Sequence, residues 1–165
     1  MYSSQPSLVL GFHGCDEALA ENVFSGSKRL RASNNLYDWL GSGIYFWEQN
    51  PTRALQFAKT LRDNPERCKG HKVETPAVIG AVIDLGCCLN LLDSEALSLV
   101  KIAHATLKES LDKIEQPLPE NKAIKDDEDL LLRFLDRAVI ESLHGLRADE
   151  GQKEFDSVRA VFPEG

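Results

Sequence analysis

Two short segments carry residue types that could form a pocket for a planar, polar ligand. In the first, an apolar run ends in Gly-Phe-His-Gly, which puts the imidazole of His13 beside Gly14, a residue without a side chain. The ring can donate a hydrogen bond, and glycine leaves the backbone open to close approach. We therefore expect valine at Gly14 to block the pocket while leaving the fold intact.

The second segment, residues 38–48, reads Asp-Trp-Leu-Gly-Ser-Gly-Ile-Tyr-Phe-Trp-Glu. Gly41 and Gly43 permit a turn with close approach, and the run from Ile44 to Trp47 predicts a strand that carries Tyr45 into the same space. Each segment alone has an ordinary structural explanation. A single histidine at a strand end is usually a hydrogen-bonded structural residue, and Gly-x-Gly before an aromatic strand is usually only a turn.

Taken together and in this order, the two segments resemble the His-Tyr-Glu class of ADP-ribosyltransferases, which includes the poly(ADP-ribose) polymerases and diphtheria toxin. The resemblance covers roughly the first third of the chain. It implies that NAD is the substrate, with His13 and Gly14 gripping the nicotinamide carboxamide and its ribose. It further implies that Tyr45 stacks on the nicotinamide, in a segment shaped by Gly41 and Gly43.

The catalytic glutamate is the part of the motif that the resemblance leaves open. In the class it begins or precedes a late strand that more sheet follows, whereas here a predicted strand at 155–162 is followed only by Pro-Glu-Gly. Glu164 is one candidate, and a chain lacking its last strands or inactive by itself are the alternatives. The acid matters because loss of nicotinamide leaves positive charge at the ribose carbon, which a carboxylate stabilises.

The resemblance thus implies an enzyme that transfers ADP-ribose from NAD to a macromolecular acceptor, either a protein or a nucleic acid. Compact members of the class often act as bacterial toxins or phage-defence effectors, and an antitoxin would then be a partner. Two alternatives stay open. One is an inactive module that binds NAD or ADP-ribose; the other is an NAD-dependent RNA 2′-phosphotransferase, whose further basic catalytic residues have no clear counterparts here.

The composition predicts one domain spanning residues 1–165, since 42% hydrophobic residues can form a core in a chain too short for two ordinary domains. A net charge of −7 argues against holding nucleic acid by bulk electrostatics, without excluding a nucleic-acid substrate. A local basic cluster at Lys28, Arg29 and Arg31 could face an acidic substrate or the NAD diphosphate, or could simply be a solvated loop.

Other sequence features predict location and metal content. No apolar run approaches the roughly 18 residues of a membrane span, and the N-terminus lacks the features of a signal peptide, so we expect no membrane partner and a cytoplasmic location. Adjacent Cys87 and Cys88 suit buried thiols better than disulfides. Cys68 and His71 have a metal-like spacing without a second ligand pair, so no metal site is predicted.

These residues must be positioned by a mixed α+β fold. We expect an ADP-ribosyltransferase-like split β-sheet core with a helical hairpin inserted near residues 93–146, whose second helix begins at about Asp126. His104 is expected to pack on the apolar seam of the first hairpin helix. The predicted strands are 8–12, 44–47, 77–85 and 155–162. Of these, the strand at 77–85 is expected to be buried. The other predicted helices are 16–24 and 50–62, the latter capped by Asn50 and Pro51 and ended by Asn64-Pro65.

Overall fold

The computed structural model describes residues 8–65, 72–123 and 130–161, and within them the fold is α+β, as predicted. The chain forms two compact units. We call residues 8–32, 44–65 and 72–84 the sheet unit, and residues 33–43, 85–123 and 130–161 the helical unit. No helix among these residues is both long enough and apolar enough to cross a membrane.

A three-stranded antiparallel sheet organises the sheet unit, in the order β2-β1-β3. Its strands are β1 (Leu8–Asp16), β2 (Trp47–Glu48) and β3 (Pro76–Asp84). β1 runs four residues past its predicted end, so His13 lies inside the ladder opposite Ile79 rather than at a strand end. The prediction that the third strand is buried was wrong. Exposed and half-buried residues alternate along its second half, where Val82 is 66% exposed.

Local sequence signals set the two helices of the sheet unit. In α1 (Glu17–Phe24), Asp16 caps the first turn by accepting a hydrogen bond from the backbone N–H of Ala18. In α2 (Pro51–Asp63), Asn50 accepts from the N–H of Arg53. Pro51 occupies the first turn and Asn64 ends the helix, so the predicted start and stop residues are confirmed.

The helical unit contains a pair of packed helices and a small parallel sheet. Its elements are β4 (Cys88–Asn90), α3 (Ser94–Lys113), α4 (Phe134–Asp149) and β5 (Ser157–Arg159). β4 and β5 pair in parallel, so the predicted C-terminal strand exists but is shorter than 155–162. The core is formed by buried side chains from both helices and the strands: Leu89, Ala96, Ala103, Val139, Ile140, Leu143 and Phe155.

The start of α4 differs from the prediction. The residues just before Phe134 are not helical; instead, Leu132 forms an antiparallel bridge with Lys122. The side chain of Asn121 accepts a hydrogen bond from the N–H of Leu135 at 2.9 Å and donates to Asp136 at 2.7 Å. A residue far upstream therefore fixes where the helix begins, and no cap adjacent to the helix signals it.

Candidate functional site

His13 and Tyr45, from the two predicted motifs, are joined directly within the sheet unit. The Nδ1 of His13 lies 2.8 Å from the backbone carbonyl oxygen of Tyr45. The imidazole also packs beside the ring of Phe46, with 5.7 Å between the ring centroids. Both His13 and Tyr45 are half-buried. The first motif is thus bonded to the backbone of the second.

This bond fixes the chemical character of the outer ring nitrogen. A carbonyl oxygen can only accept, so Nδ1 of His13 must carry the proton that it donates. In a neutral imidazole, Nε2 is then a hydrogen-bond acceptor. Among the residues that the structure describes, Nε2 has no hydrogen-bond partner. The ring can therefore accept from a hydroxyl group of a bound ligand.

Tyr45 does not lie in a strand, which corrects the predicted strand at 44–47. Only Trp47 and Glu48 pair with β1, opposite Phe12 and Gly11. The Tyr45 carbonyl lies just beyond this pairing, where it accepts a hydrogen bond from the imidazole of His13.

Position 14 requires glycine for a packing reason that could not be predicted from the sequence. A Cβ at this position would overlap the backbone carbonyl oxygen of Ala54 and would lie 3.3 Å from the Cβ of Ala58, both on α2. Ala54 and Ala58 are themselves fully buried. The missing side chain therefore lets α2 pack against β1, and the expectation that valine at Gly14 leaves the fold intact was wrong.

Gly41 and Gly43 belong to the helical unit, in a loop closed by paired hydrogen bonds between Ser33 and Gly43 of 2.7 and 3.1 Å. We call residues 33–43 the glycine loop. Gly41 has a φ of +85°, which favours glycine. Gly43 needs neither a special φ nor close packing, because a Cβ there would meet no atom within 4 Å. Of the candidate site glycines, Gly43 alone leaves its absent side chain unexplained by the described structure.

Arg137 of α4 binds the glycine loop, a role that the sequence pattern did not indicate. Its guanidinium donates to the carbonyl of Asn35, to the side chain of Asn34 at 2.7 Å and to Ser42 Oγ at 3.0 Å. Its side chain is only 12% exposed, although it carries a full charge. The sole sequence signal was an arginine four residues before a glutamate on a predicted helix.

Acidic groups around Arg137 complete this clamp. The carboxylate of Asp38 lies 3.9 Å from Arg137 Nη1, and that of Glu141 lies 3.4 Å from Nη2. Glu141 also accepts from the backbone N–H of Ser42 at 3.0 Å, between the two glycines. The loop is therefore bound to α4 through both its backbone and its side chains.

A cavity of about 460 Å³ lies within the helical unit, beside the glycine loop. Trp39 and Leu40 of the loop line one part, and apolar side chains of α3 and α4, including Val139 and Ile140, line another. The volume is in the range of small-molecule pockets. His104, predicted to pack on the apolar seam of its helix, is half-buried and borders this cavity.

Some predicted positions lie outside the described residues. Glu164, the candidate catalytic acid, is one, and the Cys68 and His71 pair is another. Within the part of the chain that is described, no cluster of three or more His, Cys, Asp or Glu side chains could hold a metal ion.

Comparisons with protein-family models, with curated proteins and with solved structures returned no significant match to this chain. The assignment of a function therefore depends on the residues and their geometry.

Proposed function

We propose that this chain is an ADP-ribosyltransferase domain of the His-Tyr-Glu class that uses NAD as its substrate. The observation that carries the proposal is the 2.8 Å hydrogen bond between His13 Nδ1 and the carbonyl of Tyr45. Two motifs singled out for one ligand are bonded to each other across a long interval of sequence. The bond lies next to the pairing of Phe12 with Trp47, so the two motifs are neighbours at one end of the sheet.

The hydrogen bonding supports a specific role for each group. The outer nitrogen of His13 is an acceptor, which suits a ribose hydroxyl of NAD. The ring of Tyr45 would stack on the nicotinamide, and the backbone at Gly14 would bond its carboxamide. The resemblance also assigns Gly43 to the cofactor-binding motif, and no contact in the described structure otherwise requires a glycine there.

The proposed reaction exchanges one bond at the ribose. The bond between the ribose anomeric carbon and the nicotinamide nitrogen breaks, and its electron pair leaves with nicotinamide. A nucleophilic atom of the acceptor forms the new bond to that carbon and gives its proton to a carboxylate. The same carboxylate stabilises the positive charge that develops on the sugar, and Glu164 is our candidate for it.

The proposed biological role follows the same resemblance: a toxin or defence effector that modifies a macromolecule, with an antitoxin as a partner. The proposed fold is the split-sheet core of the class, with α3 and α4 as the inserted hairpin.

Release of labelled nicotinamide from NAD tests the reaction. The chain is incubated with NAD labelled in the nicotinamide, together with a protein extract or oligonucleotides as acceptors. If Glu164 is the acid, Glu164→Gln should lower the release by about a hundredfold or more while NAD still binds. Glu154→Gln, an exposed control ten residues earlier in the sequence, should change nothing.

The possible results separate the alternatives. NAD binding without release, unaffected by Glu164→Gln, would favour the binding module or an acid outside this chain. Absence of NAD binding by the unaltered chain would overturn the proposed function.

A further inference from the structure

The basic segment at residues 28–31 is an ordered part of the sheet unit. After α1 the chain folds back, and the carbonyl of Asn22 accepts from the N–H of Lys28 at 3.0 Å and from Ser27 Oγ at 3.0 Å. Leu30 packs against the core cluster of Cys15, Ala20 and Ile79. The backbone of this segment is therefore held in place, while Lys28, Arg29 and Arg31 are exposed.

These three cations have no acidic partner among the residues that the structure describes. In sequence, no acidic residue occurs between Glu21 and Asp38, although the whole chain carries 26 acidic residues. The segment is thus a local concentration of unpaired positive charge on an acidic protein. Such a patch attracts a polyanion locally where the net charge would repel it.

An exposed aromatic residue ends the helix onto which the basic segment folds back. Phe24, the last residue of α1, is 72% exposed. The fold-back onto Asn22 brings the backbone of Lys28 to the same final turn of the helix. Exposed aromatic rings beside unpaired cations are the combination by which proteins bind single-stranded nucleic acid, since bases stack on the ring and phosphates pair with the cations.

We infer that Phe24 together with Lys28, Arg29 and Arg31 forms a binding surface for single-stranded nucleic acid. Its role as the site of the acceptor rests on the proposed function, because only then is a nucleic acid the recipient of ADP-ribose. The stacking ring favours a nucleic acid over an acidic protein, which would need the cations alone.

Fluorescence anisotropy with a labelled single-stranded oligonucleotide of about 12 nucleotides tests the surface without NAD. Replacing Lys28, Arg29 and Arg31 by alanine should weaken binding by at least about tenfold and lower the salt-dependence slope by about 2, from the loss of three phosphate contacts. Phe24→Ala should weaken binding by about fivefold or more and leave that slope unchanged.

The matched control removes the same charge from α3, by replacing Lys101, Lys108 and Lys113 with alanine; it should weaken binding by about twofold or less. If this control lost as much affinity as the variant lacking Lys28, Arg29 and Arg31, the inference would be overturned. Absence of oligonucleotide binding by the unaltered chain would also overturn it. Competition by polyglutamate as strong as by the oligonucleotide, with no effect of Phe24→Ala, would assign the patch to an acidic protein instead. Oligonucleotide binding without nicotinamide release would contradict the proposed reaction but leave the surface standing.

Discussion

The sheet unit and the helical unit hold their candidate site residues by different means. In the sheet unit, β1 pairs with β3 along its full nine residues, and this ladder fixes the backbone of His13 and Gly14. In the helical unit, the glycine loop is held by the pairing of Ser33 with Gly43 and by turn hydrogen bonds of its own backbone. Arg137 and Glu141 of α4 bind it through their side chains. One site segment is positioned by continuous strand pairing, and the other by turn hydrogen bonds together with two side chains of α4.

The two segments should therefore respond differently to substitution. A backbone ladder with a helix packed on it leaves no room for a new atom, so substitution there acts on folding. A side-chain clamp can be removed while the helix that carries it remains, so substitution there acts first on the loop.

The largest effect is expected at Gly14. In Gly14→Val the new side chain would overlap the carbonyl of Ala54 and force α2 away from β1. We expect a loss of about 3 kcal/mol in the free energy of unfolding, measured by urea denaturation. Gly43→Ala is the control, since its Cβ would enter open space, and it should change stability by less than about 0.5 kcal/mol. Equal effects of the two variants would refute the packing explanation.

A smaller effect on stability, but a larger one on mobility, is expected at Arg137. Arg137→Ala leaves the Asn35 carbonyl and the largely buried Asp38 carboxylate without their cation. We expect the free energy of unfolding to fall by about 2 kcal/mol. Hydrogen exchange should show faster exchange of the Gly41 and Gly43 amides, with little change in β1.

Lys108→Ala, an exposed change on α3, is the control for Arg137 and should leave both stability and loop exchange unchanged. Unaltered amide protection at Gly41 and Gly43 in Arg137→Ala would show that the clamp does not hold the loop.

The smallest effect concerns Asp16, which belongs to the ladder end of the sheet unit. Hydrogen bonds from the backbone N–H groups of Glu74 and Thr75 hold the pKa of this carboxyl below its usual value, with a further contribution from Ala18. Asp16→Ala should lower the free energy of unfolding by about 1 kcal/mol at neutral pH, because the helix cap is lost.

The sign of the pH dependence follows from the lowered pKa. The stabilisation from the charged carboxylate is present above the unfolded-state pKa of about 3.9 and is lost as the pH falls from there through the folded value. Asp16→Asn keeps a capping oxygen but cannot titrate, so its stability difference from the unaltered chain should shrink below about pH 4. A stability difference that stays constant between about pH 3 and about pH 7 would contradict the lowered pKa of Asp16.

The features that could be predicted from sequence are those that neighbouring residues determine. Asp16, Asn50 and Pro51 mark helix starts because a cap acts within three residues of its own position. The α+β class and the helical pair followed from periodicity in the same way.

The features that could not be predicted depend on distant partners. Asn121 bonds the first turn of α4, His13 bonds the carbonyl of Tyr45, and Arg137 bonds the glycine loop. The need for glycine at Gly14 comes from a helix that lies forty residues further on, at Ala54. Local pattern could identify the motif residues, but it could not show which of them the fold itself requires.

Calorimetric titration of the chain with NAD is the direct test of whether NAD binds at His13 and Tyr45. The account predicts that the unaltered chain binds NAD and that Tyr45→Ala weakens binding by about 1 to 3 kcal/mol, through loss of stacking on the nicotinamide. His13→Ala should weaken it as well, because it removes both the acceptor nitrogen and the bond to Tyr45. His104→Ala, in the helical unit, should bind NAD as the unaltered chain does. Unchanged affinity in folded His13→Ala and Tyr45→Ala variants, or no binding of NAD at all, would contradict the account.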